Sequence, residues 1–230
     1  MNFRLILLIL LVLIFTICGI YISVLSFEAT SLQESYQKGD VEIIQNTTPG
    51  SVPHIIQFKN NGKKPLMVET GQILTSNTSQ DMVVAEDKMV NQNSSSYISA
   101  YCFQPNQTAT LGAKLTPSGK ASAEIYQLIK NSNLADAQNS TSTQLQIWII
   151  VSGDNLNLKT GEATVLIEKQ GINNTEINNK LNDARTNLVK VLNLTEGELK
   201  NLSPQSPNEV DLVNWINVFI NWFKNSFNIS

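Results

Sequence analysis

Cys102, in Ala100-Tyr101-Cys102-Phe103, is the only cysteine outside the apolar N-terminal segment that holds Cys18. A lone cysteine of this kind is buried and inert, paired with another chain, or kept because its reactivity matters. Farther along, Thr143-Gln144-Leu145-Gln146-Ile147-Trp148 opens a strongly apolar stretch. His54 is the sole imidazole, and its place at the start of a strand-like run makes it a solvent-facing strand residue. One histidine and two cysteines exclude a structural zinc site built from clustered Cys and His, and no cofactor is expected. Neither Gly-x-Ser-x-Gly nor His-Glu-x-x-His occurs, so a hydrolytic enzyme has no support.

The triplet Tyr101-Cys102-Phe103 and the Thr-Gln-x-x-Ile-Trp sequence at 143–148 resemble the two signatures of surface thioester domains. These are adhesin modules of Gram-positive bacteria, with a Tyr-Cys-Ile type triplet and Thr-Gln-x-Ala-Ile-Trp. The resemblance implies a bond between the Cys102 sulfur and the side-chain carbonyl of Gln144, formed with loss of ammonia. Such a pair suits the chemistry: a thiolate is the strongest side-chain nucleophile near neutral pH, and a carboxamide is the side-chain acyl group besides the carboxylates. Burial beside Tyr101 and Trp148 would keep water from the bond. The thioester would acylate an amine or hydroxyl on a target once, without enzymatic turnover. Gln146 stands where the pattern has Ala, which leaves it as an alternative acyl donor to Gln144.

Residues 5–25 carry no charge, follow Arg4 and are long enough, at ~1.5 Å per residue, to span a ~30 Å hydrocarbon core. They are expected to be a retained single-pass membrane anchor rather than a cleaved signal, with the bulk of the chain extracellular. Asn-x-Ser/Thr sequons at Asn46, Asn77, Asn93, Asn106, Asn139, Asn173, Asn193, Asn201 and Asn228 fit a glycosylated exterior. Net charge is -3 and Arg4 and Arg185 are the only arginines, so no basic run exists to neutralise phosphates and no nucleic-acid partner is expected.

The expected scaffold is α+β: an antiparallel β-sandwich or barrel with a helical insertion, an N-terminal transmembrane helix and C-terminal amphipathic helices. Residues 1–26 are the anchor or signal segment, 27–40 a stalk, 41–170 a β-rich extracellular domain with a helix near 120–131, and 171–230 a helical C-terminal region. Short β-branched runs mark strands at 41–44, 54–59, 66–69, 72–74, 82–85 and 97–103, with Asn61-Gly62 turning a hairpin between the second and third. Residues 121–130 have helical spacing, 139–143 read as a polar loop, and 163–168 as a last strand. The run 144–151 fits a buried strand or the first turns of a helix equally well. Ile177, Leu181, Ala184, Leu188, Val191 and Leu192 make the stripe of an amphipathic helix capped by Thr175. A final amphipathic helix at 207–227 opens with the capping box Ser206-Pro207-Asn208-Glu209.

Together these readings describe a membrane-anchored, glycosylated cell-surface adhesin that binds a surface protein or glycan and crosslinks to it through Cys102 and Gln144. The alternative is a non-covalent envelope-assembly or scaffold subunit whose helix at 207–227 docks a membrane or a partner. The membrane would then be engaged through 5–25 and 207–227.

Overall fold

Every second residue of Val41–Gln45 and of His54–Asn60 is buried, the period-2 pattern that turns one face of a strand to the core. The computed structural model describes residues 9–16 and 29–193. Its strands are β1 (Thr30–Ser31), β2 (Val41–Gln45), β3 (His54–Asn60), β4 (Leu66–Val68), β5 (Gln72–Thr75), β6 (Met82–Val84), β7 (Lys88–Val90), β8 (Ser94–Cys102) and β9 (Thr116–Lys120). From residue 29 on, its helices are α1 (Leu32–Gln37), α2 (Ala123–Lys130), α3 (Ala137–Ser152), α4 (Gly161–Gln170) and α5 (Asn174–Leu192).

β2, β3, β8, β6, β5 and β9 hydrogen-bond in that order as an antiparallel sheet, and β1, β4 and β7 form a smaller one. The large sheet curls into a half-barrel. The chain after Gly112 helps to curl it. Leu115 N–H donates to Ile43 O at 3.0 Å along the free edge of β2, and the residues that follow pair as β9 with β5 at the opposite edge. One short stretch therefore ties both edges of the sheet and covers backbone that would otherwise be open to pairing.

α3 is buried nearly all round, from Thr143 through Val151, as befits a helix whose apolar residues do not keep to one stripe. It starts at Asp136, whose side chain accepts from the N–H groups of Gln138 and Asn139. The run 144–151 is thus the interior of a helix, and 139–143, expected as a loop, are its first turns. Trp148 is 1% exposed and, with Leu145 and Ile147, anchors the helix against β8, α2 and α5. Each such side chain contributes about 1.5–3 kcal/mol by leaving water.

Several expectations are corrected. The sandwich or barrel with a helical insertion is instead a mixed α/β fold around a curled half-barrel sheet. Residues 163–168 are helical: Glu162, Ala163 and Leu166 share a buried face, and Gly171 closes α4 in the left-handed conformation. The hairpin at Asn61-Gly62 does not form. Neither residue has positive φ, β3 pairs with β2 and β8, and β4 pairs with β1 and β7. The cap of α5 is Asn173, one turn's reach from Glu176 N–H, and not Thr175. Residues 30–37 carry β1 and α1, and Leu32 is fully buried. Among the described residues no helix is long and apolar enough to cross a membrane. That removes the support for an N-terminal transmembrane helix, a single-pass location and a membrane partner through 5–25, of which residues 9–16 are described and helical. The expected helix at 207–227, with its membrane-docking role, lies outside the described residues, as do Asn201 and Asn228.

Candidate functional site

Antiparallel order puts the C-terminal ends of β2 and β8 and the N-terminal ends of β3 and β6 at the same end of the sheet. Gln45 closes β2, His54 opens β3, Cys102 closes β8, and Gln80 stands two residues before β6. Glu162 reaches this end from the first turn of α4, and Gln144 from the middle of α3. All six side chains are buried.

Glu162 is a wedge fastened on several sides. One carboxylate oxygen accepts from His54 Nε2 at 2.9 Å and from Gly50 N–H, and the other accepts from Ala109 N–H at 2.9 Å. Gly161 is what brings it there. Its φ is +60°, and a Cβ at that position would lie 2.2 Å from the carbonyl carbon of Asn106. Only glycine lets α4 begin against the 105–107 backbone, which in turn accepts the N–H groups of Glu162 and Ala163. Gln45 Nε2 donates to Thr47 O at 3.2 Å, so its amide faces His54 Nδ1 as a donor. Thr47 Oγ1 accepts from Ile55 N–H and lies 2.9 Å from the same ring nitrogen. With donors facing Nδ1 and a carboxylate oxygen at Nε2, the network fits a ring that carries a proton on Nε2.

Cys102 meets two carboxamides in different ways. Gln144 accepts from Cys102 N–H at 2.8 Å and donates to Cys102 O at 2.8 Å, a paired grip on the backbone. Gln80 Nε2 lies 2.8 Å from Cys102 Sγ itself. Burial pushes the thiol well above its ordinary range, the nearby charge of Glu162 adds to that, and the Gln80 contact works against it. Asp81, beside Gln80, is also pushed up by burial, opposed by its bond from Ser76 N–H. The Oε1 atoms of Gln80 and Gln45 and the Nε1 of Trp148 have no partner among the described residues.

His54, Cys102 and Glu162 offer ligand atoms within 4.8 Å of one another, the cluster here that could hold a cation. Each of those atoms is already bonded within the protein, so a metal here would take the place of the His54–Glu162 and Gln80–Cys102 contacts. A cleft is lined by Thr75, Ser76, Asn77 and Thr78, on the segment that leads to Gln80, together with Lys114 and Thr116.

Of the residues singled out from sequence, the fold brings Cys102 and Gln144 together and sends Gln146 elsewhere. Gln146 Nε2 donates to Ala184 O on α5 at 3.3 Å. Two positions apart means one face on a strand but opposite sides on a helix, which is why 146 cannot substitute for 144 at this site. His54, expected on a solvent-facing strand, is fully buried beside Cys102. Sequence reasoning missed Glu162, Gln45 and Gln80. The one available signal was the Gly161-Glu162 pair, a glycine directly before an acidic residue in the first turn of a helix that was read as a strand.

No curated protein and no solved structure shows a significant match to the chain. A protein-family model does match, over residues 14–198, and it is not that of the surface thioester adhesins. The adhesin resemblance drawn from 101–103 and 143–148 is thereby corrected, and with it the reading of a membrane-anchored cell-surface protein. The chain belongs to the ARPP-1 family, the ARG and Rhodanese-Phosphatase-superfamily-associated Protein domain.

Proposed function

We propose that this chain performs thiol-dependent acyl transfer at Cys102. In this reading the sulfur carries an acyl group as a thioester in a dry interior and releases it to an amine or hydroxyl that gains access. The observation that supports it best is the placement of the Cys102 sulfur 2.8 Å from a carboxamide and within 4.8 Å of the His54–Glu162 pair, with all of them buried. An inert core cysteine needs no such company. Among the described residues Cys102 is free and has no second cysteine beside it, and in this reading its neighbours serve acyl chemistry. Burial favours a stored thioester by keeping water from the carbonyl. The family description associates the domain with the rhodanese-phosphatase superfamily, and a protein of that superfamily is the first acceptor to test.

Thiol counting on the full chain tests the reading. Unfolded in mildly acidic denaturant, the wild type should titrate Cys18 alone, and hydroxylamine should release the second thiol, absent in Cys102→Ala. A Cys102 that titrates fully without hydroxylamine sinks the proposal.

A further inference from the structure

We infer that the acyl group on Cys102 is the side chain of Gln80, joined to the sulfur as an internal thioester. This rests on the acyl-transfer reading and names its donor.

Gln80 Nε2 lies 2.8 Å from Cys102 Sγ, closer than the ~2.9–3.0 Å usual for N–H···O although sulfur is the larger atom. Since Cδ is one C–N bond of ~1.33 Å from Nε2, the sulfur stands no more than about 4.1 Å from the carbon it would attack. That approaches the separation at which reacting atoms are poised, roughly 3–3.5 Å.

Gln80, Gln144 and Gln146 are held differently. Both amide atoms of Gln144 are committed to the backbone of Cys102, and Gln146 is committed to Ala184. Gln80 is fully buried, and among the described residues its Oε1 has no hydrogen-bond partner and its amide nitrogen is bonded to the sulfur alone. An amide left so poorly satisfied in the interior is costly to keep as an amide. Its carbonyl is free to change partners.

Strand pairing presents Gln80 to the sulfur. Met82 pairs with Cys102 across β6 and β8, and Phe103 N–H donates to Asp81 O at 2.8 Å. These bonds fix Gln80 diagonally opposite Cys102. The Asp81 carboxylate braces the loop through Ser76 N–H and Gln104 Nε2.

The step balances without an added reagent. The Sγ–Cδ bond forms, the Cδ–Nε2 bond breaks, and the thiol proton ends on the departing nitrogen, which leaves as ammonia. Nε2 already adjoins the sulfur that must give up that proton. An incoming amine reverses the logic: it takes the Gln80 acyl group as an amide and returns the proton to sulfur. Gln144 is a positioning residue, holding the Cys102 backbone while the bond forms or opens.

Intact mass and peptide mapping of the full chain decide the matter. The wild type should weigh about 17 Da less than its sequence, the mass of ammonia, and Cys102→Ala and Gln80→Glu should both weigh what their sequences require. Methylamine should add about 31 Da to the intact wild-type chain and leave the Gln80 peptide about 14 Da above its sequence mass, while one thiol appears. Gln80→Glu keeps the side chain's shape, so an unchanged circular dichroism spectrum shows that its lost deficit is chemical. A methylamine adduct on Gln144 or Gln146 would overturn the assignment to Gln80 and leave acyl transfer standing. So would an acyl adduct of outside origin on Cys102, which adds mass. A chain of full sequence mass with Cys102 free overturns both.

Discussion

Two buried polar regions lie within a few ångströms of each other and are built differently. Around Glu162 the donors of Gly50, His54 and Ala109 all find carboxylate oxygen, and Gly161 fits the 105–107 backbone without room for a methyl group. Around Cys102 the backbone is equally well held by Gln144, yet among the described residues the side chains of Cys102 and Gln80 bond only each other and Gln80 Oε1 has no partner. A folded protein gains nothing in stability from the second arrangement, since an unpaired buried acceptor costs about 1–3 kcal/mol. Gln45 Oε1, beside His54, is unpaired too among the described residues, so the difference lies elsewhere: the Glu162 carboxylate is fully satisfied and fixed, a scaffold, whereas Gln80 sets an amide directly on a sulfur.

The sharpest way to break that contrast is Gly161→Ala. The methyl would meet the Asn106 carbonyl carbon at 2.2 Å and the Pro105 oxygen at 2.6 Å, and φ of +60° is strained for any L side chain. Backbone cannot yield as a flexible side chain can. The expected loss exceeds about 4 kcal/mol, in the range that marks a specific structural failure. It would show as a collapsed urea midpoint or as loss of the folded protein.

Next comes Glu162→Ala, which strands three buried donors at once. At about 1–3 kcal/mol each, partly relieved by water entering the gap, a loss of about 3 kcal/mol is expected in urea unfolding. Gln80→Met is the counterpart. It keeps the volume, removes one contact and removes the unpaired oxygen, so its cost should stay under about 1 kcal/mol while the mass deficit disappears. A Gln80→Met variant that unfolds as readily as Glu162→Ala would erase the distinction between scaffold and reactive contact.

The sequence carried part of this. The stripe from Ile177 to Leu188 on α5 was readable because it is periodic and one-sided, and Ile177, Ala184 and Leu188 are buried. The strands β2 and β3 and the second half of β8 were readable as short β-branched and apolar runs between turn residues. The interior of α3 was not, because a helix buried all round has no polar face to give it a period, and its β-branched run 147–151 imitates a strand. Residues 163–168 misled because Thr164, Val165 and Ile167 are β-branched, although only one face of that helix is buried. In the site, Cys102 and Gln144 stood out by residue type and by resemblance, whereas Gln80 and Glu162 are ordinary residues in ordinary neighbourhoods. Strand register and one glycine's fit against distant backbone bring them to the sulfur, and neither leaves a local mark.

The smallest effect belongs to a polar contact away from both regions. Asp87 accepts from Lys130, at the end of α2, and from Thr70 N–H at 2.7 Å. The Lys130 bond, then the Thr70 bond, hold the Asp87 carboxyl below its ordinary value, and the same pairing raises Lys130. A lowered carboxyl contributes stability that is present above its unfolded value of ~3.9 and is lost as pH falls through the folded one. A raised ammonium contributes stability that is present below ~10.4 and is lost as pH rises through its folded value. The contribution should therefore be flat between about pH 5 and pH 9. Both side chains remain well exposed, 43% and 39%, so solvent screens the pair and Asp87→Asn, which keeps an oxygen for Thr70, should cost about 0.5 kcal/mol on that plateau. The difference between variant and wild type should shrink below about pH 4 and in high salt. A gap that instead widened on acidification would mean that the exposed pair is coupled to the buried site, where Asp81 is shifted the opposite way by burial.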